Sequence, residues 1–272
     1  MKKRAIFTCD TEFTPPWHSG SWGNQERETF KEGLRNIKNI LAQYGVRGTF
    51  YCQGVMVEEF PEIIRDLAKV HLIGSHGYNH ENYGGRLQEA FFTEEAMPLG
   101  DKEKKLELLE RCKDVHKRIV GYSPEVFCAP FNSIDCDLLS ILEKTGFKVD
   151  SSFNNYRLGL PSKLFKPESF DLFELPFSVI RFEGLGYKNV LQALTYDYKK
   201  ISDVMRQETI VITCHPYEFI DIKIPHPAHV QIVGDRKTGT LERLIQDLLK
   251  DGYEFTDPLQ LLEKTRQLSG VH

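Results

Sequence analysis

Short runs of β-branched and aromatic residues alternate with longer amphipathic segments along nearly the whole chain. The first run covers residues 5–9, and the most strongly β-branched run covers residues 209–213. Between such runs lie segments with apolar side chains at helical spacing, for example residues 101–120. Repeated strand–helix units predict a parallel sheet. About seven or eight such units, without a linker, predict one distorted (β/α) barrel of about seven or eight parallel strands that forms a single domain, residues 1–272.

Composition and charge exclude several classes of protein. Hydrophobic residues make up 40% and charged residues 27%, which is typical of a globular chain and not of a disordered one. A net charge of -4 leaves no excess of cations for a phosphate backbone, so no nucleic-acid partner is predicted. No run of 18 apolar residues occurs, so no transmembrane segment is predicted. The first apolar run stops at Asp10, too early for a signal peptide, so a cytoplasmic location with free thiols at all six cysteines is expected.

Acidic and histidine side chains follow several of the predicted strands. In parallel βα folds the reacting groups collect just past the carboxyl ends of the strands. Asp10 and Glu12 are two residues apart in an extended segment, so their side chains point the same way. His76 and His80 are four residues apart, and a helical turn would place both imidazoles on one face. Two histidines and one carboxylate leave coordination positions open, which is typical of a catalytic metal site.

Each of these residues also has an ordinary structural interpretation. Trp17 and Trp22 fit a wall for substrate and the packing of a loop equally well. His116, on a charged helix, is expected to face solvent. Cys128 and Cys214 are expected to be small core residues and not nucleophiles. What favours a site is the joint occurrence of acidic and histidine groups at successive strand ends.

The order of these motifs resembles that of the NodB-homology polysaccharide deacetylases (carbohydrate esterase family four), and the chain is identified as a divergent member. The matches are residues 8–12 for T-F-D-D-G, 76–80 for H-[ST]-x-x-H, 128–131 for R-x-P-[YF], 150–152 for the later Asp motif and 214–216 for the final histidine motif. Three positions depart from the family pattern. Thr11 replaces the second aspartate, Gly77 the hydroxyl residue and Cys128 the arginine.

The resemblance implies a role for each matched position. Asp10 would act as the general base, and His215 as the general acid, oriented by Asp150. Glu12 would replace the second aspartate as a metal ligand, and a backbone N–H near Phe131 would stabilise the oxyanion. The predicted site therefore has three parts: Asp10, His215 and Asp150 as catalytic residues; Glu12, His76 and His80 as metal ligands; Phe131, Trp17, Trp22 and Tyr78 as substrate contacts.

The resemblance further implies a metal-dependent hydrolase of a carbon–nitrogen amide bond. The expected reaction is N-deacetylation of an amino sugar, in a cytosolic or inner-leaflet polysaccharide pathway. The expected cofactor is one divalent ion, with zinc preferred and Fe, Co, Ni and Mn also compatible with the ligands. Two alternatives stay open, namely a cyclic imide or ureide amidohydrolase on the same fold and a catalytically inactive sugar-binding relative. The oligomeric state is also open, a homo-oligomer included.

Overall fold

The computed structural model describes residues 2–12, 24–84, 98–182, 186–221 and 234–269. Strands and helices alternate along this part of the chain, as the sequence predicts. The strands are β1 (Arg4–Thr11), β2 (Thr49–Cys52), β3 (Leu72–Ser75), β4 (Val126–Phe127), β5 (Val149–Asp150), β6 (Phe173–Glu174), β7 (Val179–Phe182), β8 (Gly186–Asn189), β9 (Thr209–Cys214) and β10 (Glu254–Phe255). The helices are α1 (Asn24–Gln43), α2 (Gly54–Glu59), α3 (Pro61–Ala68), α4 (Lys102–Val120), α5 (Cys136–Lys144), α6 (Asn155–Leu158), α7 (Val190–Tyr196), α8 (Ile201–Val204), α9 (Asp235–Lys250) and α10 (Pro258–Ser269).

Within the described ranges, eight strands form one curled sheet in which all paired neighbours are parallel. The order β10-β1-β2-β3-β4-β5-β6 is completed by β9, which pairs with β1 along residues 4–9. The segment after β6 reaches back to β9, because the backbone N–H of Ser178 donates to the carbonyl of Val211 at 3.0 Å. Oγ of Ser178 in turn accepts from the N–H of Val211 at 3.0 Å. The sheet is thereby curled into the predicted distorted (β/α) barrel.

Side chains of the strands alternate between two buried cores. The barrel interior contains Ile6 of β1, together with Tyr51, Val126, Val149 and Val211 from other strands. The larger core, between the sheet and the helices, contains Ala5, Phe7 and Cys9 of β1, together with Phe50 and Phe127. This alternation is the two-residue period of an extended strand. Asp10 shares the phase of Ile6, so it points into the barrel at the carboxyl end of β1.

The long helix α4 has well-defined ends. Asp101 caps its first turn by accepting from the N–H groups of Glu103 and Lys104, and Gly121 ends it with φ +96°. Its buried face includes Cys112 and also His116, which is only 1% exposed. The expectation that His116 faces solvent is therefore wrong, because residue 116 lies one helical turn after Cys112 on the same face.

Two other segments differ from what their sequence pattern predicts. The pattern of residues 189–204 predicts one helix, but these residues form α7, a 3₁₀ turn at Tyr198–Lys200 and α8. Asp197 explains the break, because its carboxylate accepts from the N–H of Lys199 and begins a new turn. The pattern of residues 173–179 predicts an extended segment, and in the structure this segment leads into an antiparallel hairpin, β7–β8, that the sequence did not indicate.

Two further expectations concern free thiols and membrane-spanning segments. All six cysteines are free, five of them buried and Cys136 exposed. Of the helices within the described ranges, none is both long and apolar enough to cross a membrane.

Candidate active site

Three side chains that could hold a metal ion converge inside the carboxyl end of the barrel. Oε2 of Glu12 lies 2.7 Å from Nε2 of His80 and 3.2 Å from Nε2 of His76. One ligand atom from each residue lies within 4.8 Å of the others. Burial alone would raise the pKa of the Glu12 carboxyl, but the imidazoles of His80 and His76 outweigh it and hold the pKa well below its usual range. Glu12 is thus an ionised carboxylate beside two imidazoles.

The two histidines are brought together by a tight turn and not by the helical turn that their spacing suggested. Residues 77–79 form the turn, with φ +73° at Gly77 and φ +59° at His80. The Glu81 carboxylate accepts from the N–H of Tyr78 at 3.1 Å, which ties the turn together. A Cβ at Gly77 would lie 2.8 Å from the ring of Tyr83, and positive φ favours glycine there in any case. Gly77 therefore fits this particular turn, where the family pattern has a hydroxyl residue.

His76 is oriented by the backbone of the neighbouring strand. Its Nδ1 lies 2.8 Å from the carbonyl oxygen of Cys128, so Nδ1–H donates to that oxygen and Nε2 faces Glu12. An imidazole that donates its other N–H to a carbonyl is the usual arrangement of metal-bound histidine. Two imidazoles and one carboxylate form a donor set that suits a divalent ion such as zinc and leaves positions open. The residues present therefore fit the expected ion.

A second potential ligand group shares His76 and consists of Asp10, His76 and Cys128. Burial raises the pKa of the Cys128 thiol well above its usual range, and Asp10 and Asp150 add to the shift. The group that contains Glu12 has two imidazoles and one carboxylate, which is a composition found in catalytic zinc sites, and it is therefore the better candidate.

Thr11, which occupies the position of the missing family aspartate, points away from this group. It is fully buried, and its hydroxyl donates to the carbonyl of Cys9 at 3.1 Å. Its phase is that of Cys9, which belongs to the core between sheet and helices. Thr11 therefore faces the helices, while Asp10 and Glu12 face the barrel interior.

Asp10 and His215 lie beside the candidate ligands. Nε2 of His215 is 3.9 Å from Oδ2 of Asp10 and 3.7 Å from Oε1 of Glu12. Burial raises the pKa of Asp10, although His76 and His215 oppose the shift. Burial alone would lower the pKa of His215, but Glu218, Glu12 and Asp10 together raise it to about 9. A carboxylate and an imidazole that can exchange protons are thus placed at one end of the barrel.

The carboxylate that contacts Nδ1 of His215 is Glu218, not the predicted Asp150. Oε1 of Glu218 lies 3.5 Å from that nitrogen. Asp150 accepts instead from the hydroxyl of Ser152 at 2.6 Å. The physical reason is strand phase, because Val149 points into the barrel and Asp150, one residue later, points to the other side of the sheet.

Glu218 and Lys237 were not assigned roles from the sequence. Nζ of Lys237 lies 3.3 Å from Oε2 of Glu218, and both side chains are buried. The position of Glu218, three residues after His215, is a signal that was available in the sequence. Lys237 gave none, because its contact depends on how α9 packs against the barrel.

Phe131 lies at the edge of the site with a left-handed backbone. Its φ is +59°, and that of Asn132 is +51°. Its ring centroid lies 4.4 Å from that of His80. Non-glycine residues at positive φ cluster at functional sites, so this geometry agrees with a site residue. The predicted use of a backbone N–H near Phe131 stays a prediction.

The remaining predicted substrate contacts have different outcomes. Tyr78 packs in the core between sheet and helices, and its hydroxyl donates to Glu58 at 2.8 Å, while its contact with substrate stays a prediction. It follows the end of β3, where the alternation of side chains no longer holds. Trp17 and Trp22 lie outside the described residues.

Comparisons with known proteins agree with this picture. A family model described as polysaccharide deacetylase matches residues 24–149, a range that includes His76, His80 and Cys128. A peptidoglycan-N-acetylglucosamine deacetylase of Bacillus cereus is 26% identical over 99 residues, which cover 36% of this chain and 31% of that protein. A peptidoglycan deacetylase-like protein of Gibberella zeae is 28% identical over 130 residues, which cover 46% of this chain and 33% of that protein. The matches thus span about a third of the length of these relatives.

Solved structures share the fold at low sequence identity. A protein from Mycobacterium smegmatis described as a polysaccharide deacetylase has a TM-score of 0.69 at 21% identity, over 98% of this chain and 92% of its own. An allantoinase has a TM-score of 0.68 at 13% identity, over 97% and 89%. A carbohydrate esterase family four pseudoenzyme from Bacillus anthracis has a TM-score of 0.55 at 16% identity, over 96% and 66%.

The fold and the site together define a parallel (β/α) barrel with imidazoles and carboxylates gathered inside the carboxyl end of its strands. The family model over residues 24–149 and the two curated relatives show that the chain resembles the polysaccharide deacetylases at low sequence identity. The solved structures show that it shares their fold.

Proposed function

We propose that this chain is a metal-dependent hydrolase that removes the acetyl group from an N-acetylated amino sugar. The observation that carries the proposal is the convergence of Glu12, His76 and His80 beside Asp10 and His215. All five side chains lie at the carboxyl end of the barrel strands, where βα enzymes place their chemistry. The match of residues 24–149 to the polysaccharide deacetylase model supports an amide-hydrolysing activity.

Glu12, His76 and His80 would hold one divalent ion, for which zinc is our first choice and Fe, Co, Ni or Mn the alternatives. When bound, the ion would polarise the amide carbonyl and make a bound water more acidic. The hydrogen bond from Nδ1 of His76 to the carbonyl of Cys128 keeps Nε2 available for this purpose. The chain's own task is therefore to fix two imidazoles and a carboxylate around one point.

Asp10 is the proposed general base. It is buried, shares a strand face with Glu12 and lies 3.9 Å from Nε2 of His215. It would take a proton from the attacking water as the new carbon–oxygen bond forms at the acetyl carbon. The N–H predicted near Phe131 would donate to the oxygen that gains charge in this step.

His215 is the proposed general acid. As the carbon–nitrogen bond breaks, Nε2 of His215 would give a proton to the leaving amine. The products are acetate and a free amino sugar, which account for all atoms of water and substrate. Oε1 of Glu218 lies 3.5 Å from Nδ1 of His215, on the far side of the imidazole ring. Nε2 is therefore the nitrogen that faces the reacting groups.

The proposed substrate is an N-acetylated sugar, either a nucleotide sugar, a lipid-linked sugar or a short oligosaccharide. The relatives act as support here, since one is described as a peptidoglycan-N-acetylglucosamine deacetylase. A cytosolic or inner-leaflet polysaccharide pathway stays a prediction from the sequence.

Acetate release from a panel of N-acetylated nucleotide sugars and chito-oligosaccharides tests the proposal. The metal-loaded protein should release acetate, and Asp10→Asn and His215→Ala should each lower kcat by roughly 10²–10⁴-fold. Thr11→Ser is the matched control, because residue 11 faces the helices, and it should keep normal activity.

Two results would overturn the proposal in different ways. Hydrolysis of hydantoins or allantoin without any acetate release would identify a cyclic imide or ureide amidohydrolase. Sugar binding without hydrolysis of any substrate, by protein with a full complement of metal, would identify a catalytically inactive relative.

A further inference from the structure

A buried chain of charged groups extends from His215 away from the candidate metal ligands. Nδ1 of His215 is 3.5 Å from Oε1 of Glu218, and Oε2 of Glu218 is 3.3 Å from Nζ of Lys237. The side chains of Glu218 and Lys237 are only 3% and 2% exposed. This series of charged groups thus connects His215, in the proposed site, to helix α9.

The backbone around these residues is held on two sides. On one side, the N–H of Gly234 donates to the carbonyl of Glu218 at 3.0 Å, just before α9 begins. On the other side, a Cβ at Gly33 of α1 would lie 2.0 Å from the carbonyl oxygen of Pro216, so this helix packs directly on the backbone that follows His215. Nδ2 of Asn36, also in α1, donates to the carbonyl of Phe219 at 2.9 Å. The segment that carries His215 and Glu218 is therefore fixed between α1 and α9.

The charges determine how the chain of groups is arranged. A buried ammonium requires a carboxylate partner, because an unpaired charge in the interior is strongly unfavourable. Burial alone would raise the pKa of Glu218, but Lys237 and His215 together lower it to about 2. With Lys237 at one oxygen, the other oxygen of Glu218 is left to face Nδ1 of His215 at 3.5 Å, as a carboxylate that could accept a proton from it. Tyr217 stacks on the His215 ring, with centroids 4.9 Å apart, and restrains its plane.

We propose that Glu218 and Lys237 are positioning residues that hold His215 with its Nδ1–H on Glu218 and its Nε2 directed at the reacting groups. The inference rests on the proposed function, in which His215 gives a proton to the leaving amine. Lys237 acts through Glu218, because it fixes which oxygen of that carboxylate is left for the imidazole. Neither residue is proposed to touch the substrate.

Glu218→Gln is the most informative variant. Lys237 would attract the amide oxygen of the new side chain, and the amide NH₂ would then face Nδ1 of His215. That donor reverses the hydrogen bond and moves the imidazole proton to Nε2 in the neutral ring. We expect kcat for acetate release to fall by roughly 10–100-fold, as for other residues that orient a catalytic group, with KM and metal content little changed.

Lys237→Met and Lys237→Arg test the second part of the chain. The methionine variant removes the charge and should lower kcat in the same way, whereas the arginine variant keeps a cation beside Glu218 and should restore most of it. Lys105→Met is a matched control, because Lys105 is another buried lysine, with Nζ 2.6 Å from Oδ2 of Asp135 at the start of α5. That control should lose stability but keep its kcat.

A measurement that does not depend on activity completes the test. In the NMR spectrum, the Nδ1–H proton of His215 should be visible and hydrogen-bonded in the wild type, in Lys105→Met and in Lys237→Arg, and absent in Glu218→Gln. Normal kcat and an unchanged Nδ1–H signal in Glu218→Gln would overturn the positioning role. Equal losses of kcat in Lys237→Met and Lys105→Met would show a structural role only, which also overturns it. A wild type that shows the Nδ1–H signal but releases no acetate would instead refute the proposed function.

Discussion

Oε2 of Glu12 lies 2.7 Å from Nε2 of His80, although one residue follows the first strand and the other follows the turn after the third. The same oxygen is 3.2 Å from Nε2 of His76. Three groups that all prefer to bind cations or protons therefore share one small volume. A divalent ion would satisfy all three at once, and this leads to the first prediction.

Purified without chelator, the protein should contain one divalent ion per chain by elemental analysis. Glu12→Gln and His80→Gln should each lower metal retention, because each removes one of three ligands. Thr11→Ser should retain the metal, since its side chain faces the helices and its hydroxyl is kept. Full retention by Glu12→Gln together with loss in Cys128→Ser would instead assign the ion to the group of Asp10, His76 and Cys128.

The thiols should be reduced and none should act as a nucleophile. Burial raises the pKa of Cys128 well above its usual range, and it also raises the pKa of Cys214. Cys128→Ser and Cys214→Ser should each keep substantial activity. In a thiol titration of the native protein we expect one fast-reacting group, the exposed Cys136, and six after unfolding. Inactivation by the reagent in a Cys136→Ser background, with metal retained, would contradict this.

Much of the fold and part of the site could be predicted from the sequence, because long elements carry enough residues to set their phase. The eight residues of β1 place Ile6 and Asp10 on one face, and the rule for βα folds places their site at the carboxyl end. The phase of β5 could not be set in this way, because it contains only two residues. That is why Asp150 was expected at His215 and lies on the other side of the sheet.

Other parts of the site depend on packing that spacing does not reveal. Tyr78 lies in a turn, where neither a strand nor a helix period applies. The contact between Glu218 and Lys237 joins two elements across a part of the chain outside the described residues, and a single sequence gives no pairing for it. His116 is a different case, because its distance of four residues from Cys112 did indicate the buried face.

Asp150 and Glu174 form a buried acidic pair on neighbouring strands, and this pair should make stability fall as the pH rises. They are registered partners in β5 and β6. Burial raises the pKa of Asp150 to about 6 and that of Glu174 well above its usual range, where Asp150 adds to the shift. The folded state therefore binds protons more tightly than the unfolded state, so stability is lost between the ordinary carboxyl pKa near pH 4 and the folded values.

Glu174→Gln should reduce that loss, because a neutral amide takes the place of the protonated carboxyl. The pair then no longer has to keep a shared proton as the pH rises. The loss in free energy of unfolding between pH 5 and pH 8 should be smaller in the variant than in the wild type, by on the order of 1–3 kcal/mol. Urea unfolding at the two pH values measures the change. Glu28→Gln, at a solvent-exposed carboxylate, is the control and should leave the difference unaltered. A variant whose pH dependence equals that of the wild type would show that the pair does not share a proton.

His116 should make the protein lose stability at acid pH. The imidazole is fully buried in the face of α4, and its Nδ1 lies 2.7 Å from the carbonyl oxygen of Cys112, to which it donates. Burial lowers the pKa of His116 to about 4, although the carbonyl opposes the shift. The unfolded chain, with a histidine pKa near 6.5, therefore binds the proton more readily, and stability is lost as the pH falls from about 6.5 to about 4.

In His116→Asn the amide of the new side chain can still donate to the carbonyl of Cys112, but residue 116 no longer titrates. The fall in free energy of unfolding between pH 7 and pH 4 should shrink by about 2–3 kcal/mol. The small cavity left by the shorter side chain should cost about 1 kcal/mol at both pH values. Chemical denaturation across this range measures both effects, and parallel curves for wild type and variant would rule out a neutral, buried His116.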